Sequence, residues 1–280
     1  LNLATDPRMP YNVVVKSLRT RKLRRIMDLT NQRKERHLLV ALTFDVEREY
    51  GSFSKGNGAT VPRFLRSVQD IADEGAIFIE GSLVRENSWI LRSLEKRGIE
   101  IGLHGYRHEL WGPPQWYLRD KPLTLERRNL LLDAAIEVFR SSGLRRPVAF
   151  RAPNLVADAS TMFLLLQKGF QVDSSLAAHR GITPIPLFFG GSDGLVRIPV
   201  TVEPMPSLSR KVSLPYYRYR VCNLKTLREM KERDILEYVW RIMIVQKALG
   251  FEPHLVILSH SWEFFVPLID DNEYRYCSPS

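Results

Sequence analysis

Cysteine is scarce: Cys222 and Cys277 are the only two in 280 residues. They are not spaced as metal ligands. Neither a disulfide framework nor a thiolate metal site is indicated, and the expectation is a reduced, cytoplasmic chain. Long apolar runs are also missing. None approaches the roughly 20 residues that a bilayer-spanning helix needs, and no signal-peptide core is visible. The chain starts at Leu1 rather than Met, as a trimmed sequence would, which leaves room for a removed targeting segment. No solenoid-like repeat and no low-complexity tract occurs. Acidic residues are outnumbered, 31 against 41 basic, for a net charge of +10. That balance favours anionic partners, such as phosphates, nucleic acid or an anionic membrane surface, without choosing among them.

What is present suits a globular chain. The 44% hydrophobic content can fill one large core, and one α/β barrel fits the length as well as two small domains. Residues 1–37 differ from the rest. Lys16, Arg19, Arg21, Lys22, Arg24, Arg25, Arg33, Lys34 and Arg36 crowd there. Leu18, Leu23, Ile26, Met27 and Leu29 interleave with them roughly as a helical stripe. This basic N-terminal extension reads as a surface helix meeting anionic membrane through residues 16–36, or as a solvated helix lying on the domain. From residue 38 onward strands and helices alternate. Strands are predicted at 37–44, 76–79, 99–103, 148–150, 170–172 and 255–258. Helices are predicted at 61–74, 88–97, 125–142, 160–168 and 227–249, four of them closed by Gly98, Gly143, Gly169 and Gly250. Such alternation implies a mainly parallel sheet with helices outside it, whose chemistry gathers at the C-terminal strand ends.

The strand ends do carry reactive groups. Asp45 and Glu47 follow the first strand and, two apart in extended backbone, point the same way while Val46 turns to the core. Paired carboxylates repel, and a cation or an arginine would relieve them. His104 and His108 follow the third strand; on a helical turn, four apart places both imidazoles on one face. Alone this pair would pass for hydrogen-bonded filler. With a carboxylate at another strand end it makes a ligand set with open positions, the mark of a catalytic rather than a structural site. Arg151, Asp173 and His260 end three further strands. Trp111, Trp116 and Trp262 lie where a ring could stack on a sugar, against the plainer reading of packing near a rim. Tyr216, Tyr217, Arg218, Tyr219 and Arg220 could line a groove, although a packed loop explains them as well. His37, His179 and His254 read as structural.

Four motifs in order, TFDVE (43–47), HGYRH (104–108), FRAPN (150–154) and LSH (258–260), resemble the polysaccharide deacetylase family, the NodB-homology or carbohydrate esterase 4 group. The resemblance covers roughly residues 38–265. It implies a distorted (β/α) barrel at 38–280 and hydrolysis of N-acetyl groups on an amino sugar of a glycan with one divalent metal ion, often Zn2+. Asp45 would be the general base. The metal-binding acid usually follows it directly; here Val46 intervenes, as in the D-x-D/E branch, and Glu47 takes that place beside His104 and His108. Arg151 would pair with Asp45, His260 would be the general acid, and Asp173 would support His260. Asn154, where the family usually has tyrosine, would offer its backbone N–H as oxyanion donor. Tyr106, Asn154 and Trp262 are the candidate substrate contacts. Two other readings compete: hydrolysis of a non-sugar C–N bond, such as a cyclic ureide, on the same fold, and a non-catalytic binder of anionic lipid or nucleic acid. The second has no need for Asp45, Arg151 and His260 together, so nucleic acid is not the expected partner.

Overall fold

A computed structural model of the chain describes residues 12–14, 37–48, 60–71, 74–115, 118, 120–176, 187–189, 194–203, 220–223, 230–248 and 250–264. Most of the basic extension, Trp116, His179, Tyr216–Tyr219 and Cys277 lie outside them. Among the described residues the strands are β1 (Asn12–Val14), β2 (His37–Val46), β3 (Ala76–Ile79), β4 (Glu100–Leu103), β5 (Ala149–Phe150), β6 (Val172–Asp173), β7 (Leu187–Phe189), β8 (Leu195–Arg197), β9 (Val202–Glu203), β10 (Arg220–Val221) and β11 (His254–His260). The α-helices are α1 (Val61–Ile71), α2 (Gly81–Val84), α3 (Ser88–Lys96), α4 (Leu125–Ser141), α5 (Ala159–Gln167) and α6 (Glu232–Ala248). None of them is long and apolar enough to cross a membrane.

The chain divides into two compact units. One comprises residues 1–42, 177–185 and 199–258. In it β1 pairs in parallel with the first residues of β2, so residues 12–14 of the expected extension are a strand. β9 and β10 form an antiparallel pair. Thr201 ties β11 by its backbone N–H to the Val256 carbonyl (3.0 Å) and by its hydroxyl to the Val256 N–H (2.9 Å). α6 buries Ile235, Leu236, Val239, Ile242 and Met243, an i, i+1, i+4, i+7, i+8 stripe along one helix face.

The other unit comprises residues 43–176, 186–198 and 259–280. Here the end of β2 continues through β3, β4, β5, β6 and β8, every pair parallel, with β7 antiparallel on the outside of β8. Parallel pairing aligns the strand ends. One row of Cα partners runs Val46, Ile79, Leu103, Phe150, Asp173, Arg197. The residues just past that row, on the first five of these strands, are Glu47, Glu80, His104, Arg151 and Ser174. Phe44, Val46, Ile77, Phe78, Ile79, Ile101, Leu103, Ala149 and Phe150 on these strands are buried, as the interior of a parallel sheet requires. α1 contributes buried Val61, Phe64, Leu65 and Val68, and α3 contributes Ile90, Leu91 and Leu94. Helix ends follow the expected punctuation: Gly98, Gly143 and Gly169 all have positive φ just past their helices. β2 runs two residues further than the apolar pattern suggests because the carboxylate of Asp45 has a partner inside the fold.

Asp158 caps α5 by accepting from the Thr161 N–H (2.9 Å) and from buried Arg128 Nη1 (2.6 Å). Burial alone would raise its pKa, but Arg128 and the Thr161 bonds outweigh burial and hold it below the ordinary value. A depressed folded-state pKa gives stability that is present above the unfolded value and lost as pH falls through the folded one. Asp158→Ala is therefore expected to cost about 2 kcal/mol at neutral pH. The measurement is the urea midpoint, and the gap from the parent should close as the solution is acidified below the carboxylate range.

Candidate metal centre and catalytic site

All the candidate residues described here belong to the second unit. Glu47 Oε2 lies 3.1 Å from His104 Nε2 and 3.1 Å from His108 Nε2. One ligand atom from each of the three residues falls within 4.8 Å of the others. The spacing of the histidines works differently from the expectation. No helix joins them; a turn does, with Gly105 at φ 62 and His108 itself at φ 64. A Cβ on Gly105 would come within 2.9 Å of Trp111 Nε1 and 3.1 Å of Pro153, so glycine is needed on both counts. Glu109 fastens the turn by accepting from the backbone N–H groups of Tyr106 (3.0 Å) and Arg107 (2.9 Å).

The donor set fits a cation. His104 Nδ1 is 2.9 Å from the Arg151 carbonyl, which can only accept, so Nδ1 carries the proton and Nε2 presents a lone pair. That lone pair faces a carboxylate oxygen. Two acceptors at such a distance need a proton or a cation between them. Burial would push Glu47 up, but His108, His104 and His260 together bring it well below its ordinary value. Burial likewise opposes charge on His108, and Glu47 and Glu80 outweigh it, raising the imidazole.

Beside this set, Asp45 Oδ1 accepts from Arg151 Nη1 (2.7 Å), and its other oxygen is 3.9 Å from His104 Nε2. Arg151 is 0% exposed. Its Nη2 donates to the hydroxyls of Thr43 (3.0 Å) and Ser174 (2.9 Å), its Nε to the Ser174 carbonyl (3.3 Å), and its guanidinium carbon sits 4.1 Å from the Phe78 ring centroid. The expected Arg151–Asp45 pair is thus present and held from four sides. His260 ends β11 with Nε2 3.9 Å from Glu47 Oε1 and its side chain 21% exposed. Its ring stacks on Trp262 at 5.1 Å. Only His108 and His260, among Asp45, Glu47, His104, His108, Arg151 and His260, have side chains more than a few per cent exposed, so that side is where a substrate can enter.

Asp173 and Trp262 are placed differently from the expectation. Asp173 does not lend its carboxylate to His260 in the contacts found. Arg197 Nε donates to one oxygen (2.7 Å), and the other accepts from the Ser175 N–H (3.1 Å) and hydroxyl. Ser175 Oγ accepts in turn from the Ala152 N–H (2.7 Å), so Asp173 braces the 151–154 loop. Burial pushes Asp173 up by more than Arg197 and Ser175 offset. Trp262 is 7% exposed and donates its Nε1–H to Glu47 Oε1 (3.1 Å); it orients that carboxylate and offers no open sugar platform. Trp111 is wholly buried against Phe150. Tyr106 is half-buried, with its ring against Gly81. Asn154 is half-buried in a tight turn at φ 57. Glu80, Ser174 and Ser175 were missed. The rule that chemistry follows strand ends would have found Glu80, directly after the predicted strand at 76–79.

The model of the polysaccharide deacetylase family matches residues 32–172, half of the chain. The chain belongs to the polysaccharide deacetylase family. A peptidoglycan deacetylase-like protein, FGM2, of Gibberella zeae is 34% identical over 109 residues, 39% of this chain and 30% of that relative's length. Among solved structures, a probable polysaccharide deacetylase from Pseudomonas aeruginosa PAO1 superposes with a TM-score of 0.50 at 16% identity, covering 80% of this chain and 78% of that one. Puue allantoinase gives 0.49 at 15%, covering 80% and 78%. At 16% identity the Pseudomonas likeness speaks to the fold alone, which is the distorted (β/α)-barrel type of this deacetylase family.

Proposed function

We propose that this family member is a metal-dependent hydrolase that removes an N-acyl group, acetyl before others, from an amino sugar of a polysaccharide or glycan. The observation that carries the reading is the meeting of Glu47, His104 and His108 beside the Asp45–Arg151 pair, with His260 on the far side of Glu47. In this reading those three residues hold one divalent cation, Zn2+ being the natural choice for two imidazoles and a carboxylate. When bound, the cation polarises the acyl oxygen and acidifies water. The remaining work falls to the chain. Asp45, kept oriented by Arg151, takes the proton from the attacking water. His260, held against Trp262, delivers a proton to the departing nitrogen, without which an amide nitrogen does not leave. The backbone N–H of Asn154 serves as an oxyanion donor.

The test joins metal analysis of the purified protein to acetate release from a panel of N-acetylated glycans. Exhaustive chelation should abolish release, and Zn2+ should restore it. A protein whose activity is indifferent to chelation, or whose metal content survives Glu47→Ala with His104→Ala, would sink the assignment.

One observation favours a second reading, hydrolysis of a non-sugar C–N bond. Trp111 and Trp262, which could have met a sugar face, are both buried. Adding cyclic ureides and small amides to the same panel separates the two. From charge alone we further propose that residues 16–36 of a cytoplasmic protein touch anionic membrane. Changing their lysines and arginines to glutamine should then abolish sedimentation with phosphatidylserine vesicles; unchanged sedimentation ends the idea.

A further inference from the structure

Glu80 is a buried carboxylate that neither base nor acid chemistry uses. It sits directly past the end of β3, beside β2, where Val46 and Ile79 are partners. Its side chain is 0% exposed, and that of Arg48 is 24%. Its backbone N–H donates to the Val46 carbonyl (3.1 Å). Its Oε1 accepts from the Arg48 N–H (2.8 Å), and its Oε2 from Arg48 Nη1. Ser82 Oγ completes the latch, accepting from Arg48 Nη1 (2.7 Å) and donating to Glu80 Oε2 (3.3 Å). Glu47 lies between Val46 and Arg48, so Glu80 grips the backbone on both sides of it.

We infer that Glu80 is a positioning residue for the cation site, fixing Glu47 through Val46 and Arg48 and cancelling the Arg48 charge beside the ligands. The inference rests on the reading of Glu47 as a cation ligand. Two effects act together. The latch fixes the direction in which the Glu47 carboxylate leaves the strand. The Glu80 charge also prevents the guanidinium next to Glu47 from repelling a divalent ion, a repulsion that is strong where water is excluded. Losing a partner that orients a ligand in this way typically costs about 10- to 100-fold in metal affinity.

The experiment measures Zn2+ affinity of the metal-free full chain by competition with a chromophoric chelator, and the visible absorption of the Co2+ form. Glu80→Gln keeps shape and the acceptor for the Arg48 N–H but drops the charge. It should weaken Zn2+ by about 10- to 100-fold and alter the Co2+ spectrum. Adding Arg48→Met should recover part of the loss, because the stranded positive charge is gone. A structural role alone would lower the melting temperature and leave the affinity of the folded protein unmoved. If the parent binds Zn2+ and Glu80→Gln binds it equally well, the inference is overturned and the metal reading stands. If the parent takes up no Zn2+, both fall. Should Glu80→Gln not fold, Ser82→Ala loosens the same latch without stranding a charge. It should weaken Zn2+ by about threefold, the worth of one hydrogen bond, and an unchanged affinity there overturns the inference.

Discussion

Asp45→Asn should lose turnover by about 10²–10⁴-fold, the worth of a positioned general base, while the protein still binds its cation. Asparagine fills the same space and can accept from Arg151, so the buried cage is kept. Asp45 also lies outside the converging set of Glu47, His104 and His108. Its Oδ2 lies 3.9 Å from His104 Nε2. The paired measurement is acetate release and metal content on the same preparation. Wild-type turnover in the variant would remove Asp45 as base, and loss of metal along with turnover would make it a ligand.

The second large effect concerns stability. Arg151→Met strands Asp45 as a buried anion and leaves Thr43 and Ser174 without their donor. Breaking a buried pair from one side costs about 3–5 kcal/mol, enough to lower the melting temperature by about 10 °C in a chain of this size. Asp45→Asn with Arg151→Met removes both charges, so much of the stability should return while activity stays lost. A double variant as unstable as Arg151→Met alone would mean that the hydrogen bonds to Thr43 and Ser174, rather than the charge pair, carry the cost.

The sequence made the scaffold readable where the signals are local. β3 runs over the residues predicted, and α3, α4 and α5 end within a residue or so of their expected places, because apolar spacing and a glycine with positive φ act over a few residues. The groups at 45, 47, 104 and 151 were legible because parallel strands deliver their ends to one row, and those at 108 and 260 because their motifs were readable. What escaped depends on contacts far along the chain. The histidine pair looked helical, yet a turn with positive φ at Gly105 and His108 holds it, with Trp111 and Pro153 leaving no room for a side chain at Gly105. Asp173 seemed free to serve His260 until Arg197, 24 residues on, claimed it. Trp262 looked like a sugar platform until Glu47, 215 residues away, took its indole N–H. Glu80 stood at a predicted strand end, where the same rule would have found it, but its role shows only once Arg48 is seen to pair with it.

Arg151 has a double duty. Its side chain steers the carboxylate that would draw a proton from water, while its own carbonyl decides which nitrogen of His104 is left bare. Both settings are made by one amino acid at the end of a two-residue strand. A small slide of that strand would spoil the base and the ligand in the same movement. Activity in this scaffold should therefore vanish abruptly, not fade by degrees, when the neighbourhood of β5 is disturbed.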